Sequence, residues 1–546
     1  MKAALVIGGA GTGKTTELLR LMEATLQKEV RDPMRIGFVS FTKAARSEAA
    51  TRASDKFGIP VSQLEQNGWF RTIHSICHRV LGVGDELLAG NAESKQWTSE
   101  AIGEQITTSI TSIDGDISEA FEVSSKGGRC LNIWDVARAM LVPVSQIWEW
   151  HNDIAPTSTP DLNDVIRIIS AYEDQKKRDG RCDFTDLLLR VAGKNHRIEF
   201  IEDAIPEGTL PILPVWFFDE QQDTSKLADL VCRRLILGAK WIYLVGDPFQ
   251  SIYGWAGAEA RHFMSWTEES KRRILDRSFR CPSAILEAGE SILRPCNDYF
   301  DRMIKPNEEG GIITEESFLS GWEQEIDPRD SWLVLARTNR LAYKAGQLLD
   351  SAGIPWGSTQ GAGAKSPVKA AAIGAMFDLE NGGVIDGRQW QQIIKVFPSN
   401  FEGIPLLERG TKKRFEDDSF AGEFSFITAD RLGELGASTA LVSSFKWKTW
   451  RDFVPECHHL VQCCERWGAD VLINPKIRIG TIHSAKGAEA DSVAVLTTQT
   501  APIRTASLDP RGADEERRVW YVAATRARKR LMWLHDYRDR MRFNPN

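Results

Sequence analysis

The sequence predicts an α/β protein built on two parallel-sheet cores, each interrupted by an insertion of mostly helical character. Three observations carry this. Short apolar runs alternate with helical runs at the N-terminus, the pattern of a parallel sheet with crossover helices. Those runs lapse from about 76 to 182 and return near 212; a second set starts after 275, lapses over 346–469 and resumes from 470. A chain of 546 residues also exceeds what one hydrophobic core supports.

In chain order, residues 3–9 are the first expected strand and 14–28 the first helix. "RIGFVSF" is the second strand and "TKAARSEAATRASDKF" a helical run. "ILPVWFFDE" and "WIYLVGD" complete the first core. "SWLVLARTN", "IRIGTIHS", "SVAVLTT" and "RLMWLHDY" build the second. The expected division is 1–75 and 183–274 for the first core around insertion 76–182, then 275–345 and 470–546 for the second around insertion 346–469. Trp97, Trp134, Trp148 and Trp150 are assigned to the core of the first insertion.

Composition narrows the class. Apolar content of 42% and charged content of 26% are those of a globular protein. No apolar run approaches the length of a membrane helix. The apolar start "MKAALVIGGAG" leads into "GKTT", which reads as a buried strand entering a phosphate loop, not a leader. A net charge of -7 excludes a global basic field, so any nucleic acid needs a local groove. Nine scattered cysteines fit reduced thiols in a cytoplasmic setting. "CHHLVQCC", 457–464, offers zinc-type donors but no second pair at ligand spacing. The expectation there is a helix with buried thiols.

The strongest local signal is "GGAGTGKTT". Gly8, Ala10, Gly11, Thr12, Gly13, Lys14, Thr15 and Thr16 match a phosphate loop between strand and helix. Glycines let backbone N–H groups curl around phosphate oxygens, and the helix start adds favourable partial charge. Lys14 reaches the β- and γ-phosphates, and the Thr15 hydroxyl binds Mg²⁺. "VWFFDEQQD" places Asp219 and Glu220 at a strand tip. Asp219 is assigned to Mg²⁺ and Glu220 to the attacking water. Arg280 in "LDRSFRCPSAIL" and Arg526 in "YVAATRARKRL" are candidates for stabilising transition-state charge.

Ten segments stand in order between residues 8 and 528: "GGAGTGKTT", "FTKAARSEAATR", "TIHS", "DFTDLL", "FFDEQQD", "GDPFQSIYGWAGA", "LDRSFR", "VLARTNR", "IGTIHSAKGAEAD" and "YVAATRAR". This set resembles the superfamily 1 DNA helicases of the UvrD/Rep type. The resemblance implies two RecA-like domains, 1A and 2A, with insertions 1B and 2B and ATP with Mg²⁺ between the two cores. It makes Gln250 the γ-phosphate sensor and Arg280 and Arg526 the arginine fingers. Phe279 would stack on adenine, while Gly487 and Glu489 would touch phosphate and ribose. Tyr253 and Trp255 would face single-stranded DNA, with Phe41, Thr42 and His74 along the strand path and Thr338, Thr481 and His483 on the second core.

The implied activity is ATP-driven translocation on single-stranded DNA, 3′ to 5′, with unwinding at single/double-strand junctions; no membrane is involved, and a protein loading partner is compatible. The alternative is a translocase that strips proteins and unwinds little alone. A non-motor nucleotide switch is argued against by intact Lys14, Glu220, Gln250, Arg280 and Arg526. Three departures stand out. "WAGA" replaces the family's "WRGA" at Ala256. Only seven residues precede Gly8, where members carry a Gln-containing segment, so looser purine selectivity is expected. The second insertion and the tail are short, which fits a compact, phage-like version without a fused nuclease.

Overall fold

The two sets of apolar runs fold into two six-stranded sheets. The structure, a computed structural model, describes residues 2–40, 43–88, 90–106, 125–268, 271–319, 321–359, 363–416, 418–539 and 542–545. The chain divides into two units, 1–312 with 499–529 and 543–546, and 313–498 with 530–542.

In the first unit the sheet comprises β1 (Lys2–Gly8), β2 (Ile36–Val39), β3 (Trp69–Arg71), β4 (Val215–Phe218), β5 (Trp241–Gly246) and β6 (Arg272–Leu275). Their order is β3-β2-β4-β5-β1-β6, and every pairing is parallel. All residues of β2 and β4 are buried. Helices covering both faces demand such uninterrupted apolar strands.

The phosphate-loop helix is α1 (Lys14–Thr25). The insertion contributes α2 (Lys126–Met140), α3 (Val144–Ile154) and α4 (Leu162–Asp179), and α5 (Phe184–Ala192) carries the chain back toward the sheet. Trp134 is fully buried in the insertion's core beside Ile168 and Tyr172, with Trp97 and Trp148 packed on its margin. Trp150 departs from this group and joins Ile154, Ala155 and Trp255 in a separate small cluster. The "DFTDLL" segment starts α5 with a capping box between Asp183 and Asp186. Lys176 Nζ reaches Glu173, Asp183 and Asp186 at 2.9, 2.9 and 2.6 Å, and Arg138 Nη1 reaches Asp183 at 2.9 Å and Asp186 at 3.1 Å. The long helix α6 (Pro510–Ala524) also belongs to this unit.

The second unit rests on β7 (Ile312–Ser317), β8 (Trp332–Ala336), β9 (Gly357–Ser358), β10 (Ile477–Thr481), β11 (Ala490–Leu496) and β12 (Ala527–His535), in the order β9-β10-β8-β11-β12-β7. β8 pairs in parallel with both β10 and β11. Its insertion is helical around Ile373, Met376, Trp390 and Trp450. Cys457, Cys463 and Cys464 lie in that core. Among the described residues they join no metal-sized cluster of donors. No helix among the described residues is long and apolar enough to cross a membrane.

Candidate active site

Four turns leave the carboxyl ends of β1, β4, β5 and β6. The parallel register sets these ends side by side, with Gly8 opposite Leu275, Ile7 opposite Gly246 and Phe218 opposite Leu244. Ligands of open parallel sheets bind at this edge.

The first turn is the phosphate loop. Gly11 (φ 68°) and Gly13 (φ 74°) adopt left-handed backbone, which costs glycine nothing and lets the loop curl before α1 begins. Thr12 Oγ1 and Lys14 Nζ both donate to Gly9 O, at 3.0 and 3.3 Å. Thr15 Oγ1 donates to Asp219 Oδ2 at 3.1 Å. Gly8 and Ala10 are buried, while Thr16 is exposed on the first turn of α1.

The second turn holds the acids. Burial, and then the charge of Glu220, push the Asp219 carboxyl up to about 7. Glu220 has a left-handed backbone, φ 52°, a conformation that non-glycine residues hold only when their surroundings enforce it. Gln222 holds its side chain. Its Nε2 donates to Glu220 Oε2, and its Oε1 accepts from Asp247 N at 3.1 Å. The same side chain therefore ties the acidic turn to the third turn, where Asp247 starts the short helix Pro248–Gln250 by accepting from Phe249 N. Gln250 is buried.

The fourth turn brings Phe279 and Arg280 onto the phosphate loop. Phe279 N donates to Gly11 O at 2.7 Å, and Ser278 Oγ donates to Ala10 O at 2.9 Å. Phe279 is 66% exposed, its ring beside Gly13 with the Arg277 guanidinium 5.9 Å from the ring centre. Arg280 Nη1 donates to Thr525 O at 3.2 Å, and Arg526 Nε donates to Val522 O at 3.0 Å. Burial and the adjacent Arg280 pull the Arg526 guanidinium down to about 10. Burial likewise lowers Lys14, with Arg526 and Arg280 adding to it against the pull of Glu220 and Asp247. Three cations thus crowd one buried site, an arrangement that polyphosphate charge relieves.

The site fits a magnesium ion on its own chemistry. A hydroxyl and a carboxylate oxygen are already in contact at Thr15 and Asp219. Both are hard oxygen donors of the type Mg²⁺ takes, and a cation there would relieve the crowded charge of Asp219 and Glu220.

The DNA candidates are distributed differently. Trp255 is 8% exposed and packs on Ile154 and Ala155, with Tyr253 half-buried at its edge, ring centroids 6.5 Å apart. His74 is half-buried, edge-on to Phe184 at 5.8 Å, and burial draws its imidazole down to about 4. Phe41 and Thr42 lie outside the described residues. Thr338, Thr481, His483, Gly487 and Glu489 belong to the second unit. There Thr338 caps the helix Asn339–Ser351, accepting from Leu341 N at 3.2 Å. Thr481 Oγ1 accepts from Ser484 N at 3.1 Å, and His483 is buried. Gly487 is exposed with φ 86°, and Glu489 is half-buried.

Sequence reading passed over Asp247, Gln222, Ser278, Arg302 and Tyr521, all of which hold this site together. Asp247, Gln222, Ser278 and Tyr521 all lie inside the ordered motifs. Arg302 carries no local signal.

Comparison with known proteins places these features in a lineage. Residues 1–271 match the UvrD/REP helicase N-terminal domain, and residues 465–535 match the UvrD-like helicase C-terminal domain. The ATP-dependent DNA helicase PcrA of Staphylococcus aureus is 23% identical over 293 residues, 53% of this chain and 38% of that protein. PcrA of Staphylococcus epidermidis is 25% identical over 294 residues, with the same shares. The matched segment spans well under half the length of these relatives.

Proposed function

The chain belongs to the UvrD/Rep-type superfamily 1 helicases, and we propose that it is an ATP-driven motor that translocates 3′ to 5′ on single-stranded DNA and unwinds duplex at junctions. The observation that supports ATP hydrolysis is the contact of Thr15 with Asp219 and of Phe279 N with Gly11 O, which brings Lys14, Glu220 and Arg280 to one edge of a parallel sheet; the DNA track and the polarity follow the family resemblance. In this reading the loop amides and Lys14 bind the triphosphate. Thr15 and Asp219 hold Mg²⁺, which neutralises phosphate charge. Glu220 accepts the proton of the attacking water, and Arg280 and Arg526 stabilise charge that develops in the transition state. Phe279 stacks on the base.

Gln250 and the pair Tyr253 and Trp255 share one short stretch. In the proposal, loss of the γ-phosphate is felt at Gln250 and passed to the DNA-facing rings. The division into 1A (1–75, 183–274), 1B (76–182), 2A (275–345, 470–546) and 2B (346–469) is part of the same proposal.

Duplexes with a 3′ tail, a 5′ tail or blunt ends, offered with ATP and Mg²⁺, test it. Unwinding confined to the 3′-tailed substrate is expected. Unwinding from the 5′ tail alone would reverse the polarity. Displacement of a tightly bound protein from single-stranded DNA without strand separation would select the protein-stripping translocase.

A further inference from the structure

One buried hydroxyl on α6 joins two of the turns that carry the proposed chemistry, the phosphate loop and the turn after β5. Tyr521 Oη accepts from the Ala10 N–H of the phosphate loop at 3.1 Å and from Arg302 Nη2 at 3.3 Å, and it donates to Asp247 Oδ2 at 3.4 Å. A phenol has one proton to give and two lone pairs, so its capacity is filled. Burial pushes the Tyr521 hydroxyl up, which keeps the donated proton in place across the neutral range.

Two of these contacts, and the tyrosine itself, sit close in sequence to groups assigned to the phosphates. Ala10 lies four residues before Lys14, Asp247 three before Gln250, and Tyr521 five before Arg526. Asp247 also accepts from Phe249 N at 3.1 Å and so sets the turn that carries Gln250. Arg302 locks the oxygen from behind. Its Nη1 donates to Asp247 Oδ1 at 2.7 Å and its Nη2 to Glu290 Oε1. Its guanidinium lies over the Phe249 ring at 4.6 Å and over the Tyr521 ring at 5.3 Å. Tyr521, Arg302 and Asp247 are all essentially buried. A paired, planar guanidinium held between two rings has few other places to go.

We infer that Tyr521, braced by Arg302, is a positioning residue that fixes the phosphate loop, the Gln250 turn and the Arg526 end of α6 at one distance from each other. It touches neither phosphate nor water in this scheme. It sets where the groups that do so stand. The inference rests on the ATPase reading above.

Tyr521→Phe removes one oxygen and keeps the ring against Arg302. In the full chain with saturating single-stranded DNA, kcat for ATP should fall about 10- to 100-fold, the cost of displacing reacting groups by roughly 1 Å. KM for ATP and affinity for ADP should stay within about threefold, the split that marks an interaction realised in the transition state. Affinity for ADP with aluminium fluoride, a transition-state mimic, should fall in parallel with kcat. A purely structural tyrosine would lower Tm and leave the ratio of those two affinities unchanged. Asp247→Asn, of equal volume, is the second variant if Tyr521→Phe does not accumulate folded, and the same selective loss is expected. An active wild type with a folded Tyr521→Phe that matches it within about twofold in kcat overturns the inference alone. A wild type that does not hydrolyse ATP overturns both the inference and the reading beneath it.

Discussion

Thr15 Oγ1 donates to Asp219 Oδ2 at 3.1 Å, across a sequence separation of 204 residues. This contact joins the start of α1 to the tip of β4 and sets two hard oxygen donors beside Lys14. Replacing either donor, Thr15→Ala or Asp219→Asn, should raise the Mg²⁺ needed for half-maximal ATP turnover. The expected rise is at least the roughly 10- to 100-fold that loss of an orienting partner costs a metal site. Titration of Mg²⁺ at fixed ATP reads it, and an unshifted midpoint would take the ion away from this pair.

Arg526→Ala and Arg280→Ala should each lower kcat by about 10³-fold or more, as loss of an arginine finger does. KM for ATP should change little, because the cost falls on the transition state. A variant with raised KM and intact kcat would reclassify that arginine as a ground-state binding contact.

Phe279→Ala should act in the opposite way. An exposed ring beside the phosphate loop contributes stacking of about 1–3 kcal/mol, so KM for ATP should rise by roughly 5- to 150-fold with kcat preserved. Unchanged KM would mean that the base binds elsewhere.

Trp255 packs on Ile154 and Ala155 while lying on the stretch assigned to DNA. Trp255→Ala should therefore cost about 3–5 kcal/mol of stability and also reduce DNA stimulation of the ATPase more than the basal rate. Trp255→Phe retains most of the packing and separates the two effects. Full DNA stimulation in a destabilised Trp255→Ala would assign the ring to its packing with Ile154 and Ala155 alone.

Lys176 and Arg138 are both shared by Glu173, Asp183 and Asp186, whose oxygens lie within 4.8 Å of one another. Lys176→Met should cost about 3–5 kcal/mol, since it leaves buried charge uncompensated. The pH dependence has a definite sign. Burial opposes the charge on Asp183, but Arg138 and Lys176 outweigh it and hold the carboxyl below its usual range. That stabilisation is present above the unfolded-state value near about 4 and fades in acid. Unfolding curves should show the gap between wild type and variant holding from neutral pH down to about pH 4 and closing only as the pH falls below that. A gap independent of pH would refute the assignment.

Much of this architecture is legible in the sequence because its determinants are local. Buried parallel strands such as "VWFF" read as unbroken apolar runs, and a phosphate loop needs its glycines, lysine and threonine within one turn. What escapes is long-range or runs against expectation. Arg302, in "YFDRMIKP", reads as a surface arginine, yet it is buried between Asp247 and Glu290. Its partners come from turns and helices far along the chain, and no spacing rule connects them. The same holds for Lys176 and Arg138, charged residues at the heart of the first insertion. Residues 346–469 show weak periodicity because short helices and 3₁₀ turns surround Trp390 and Trp450, so no long amphipathic stripe develops.

The most direct test is steady-state ATP hydrolysis with and without single-stranded DNA, run on wild type and Glu220→Gln together, with ATP binding measured in parallel. Wild type should turn over ATP and accelerate on adding DNA. Glu220→Gln should bind ATP with near-wild-type affinity and show no turnover, since only the group that takes the water's proton is lost. Hydrolysis by Glu220→Gln within severalfold of wild type, or wild-type turnover indifferent to DNA, would contradict a DNA-coupled ATPase centred on Lys14, Glu220 and Arg526.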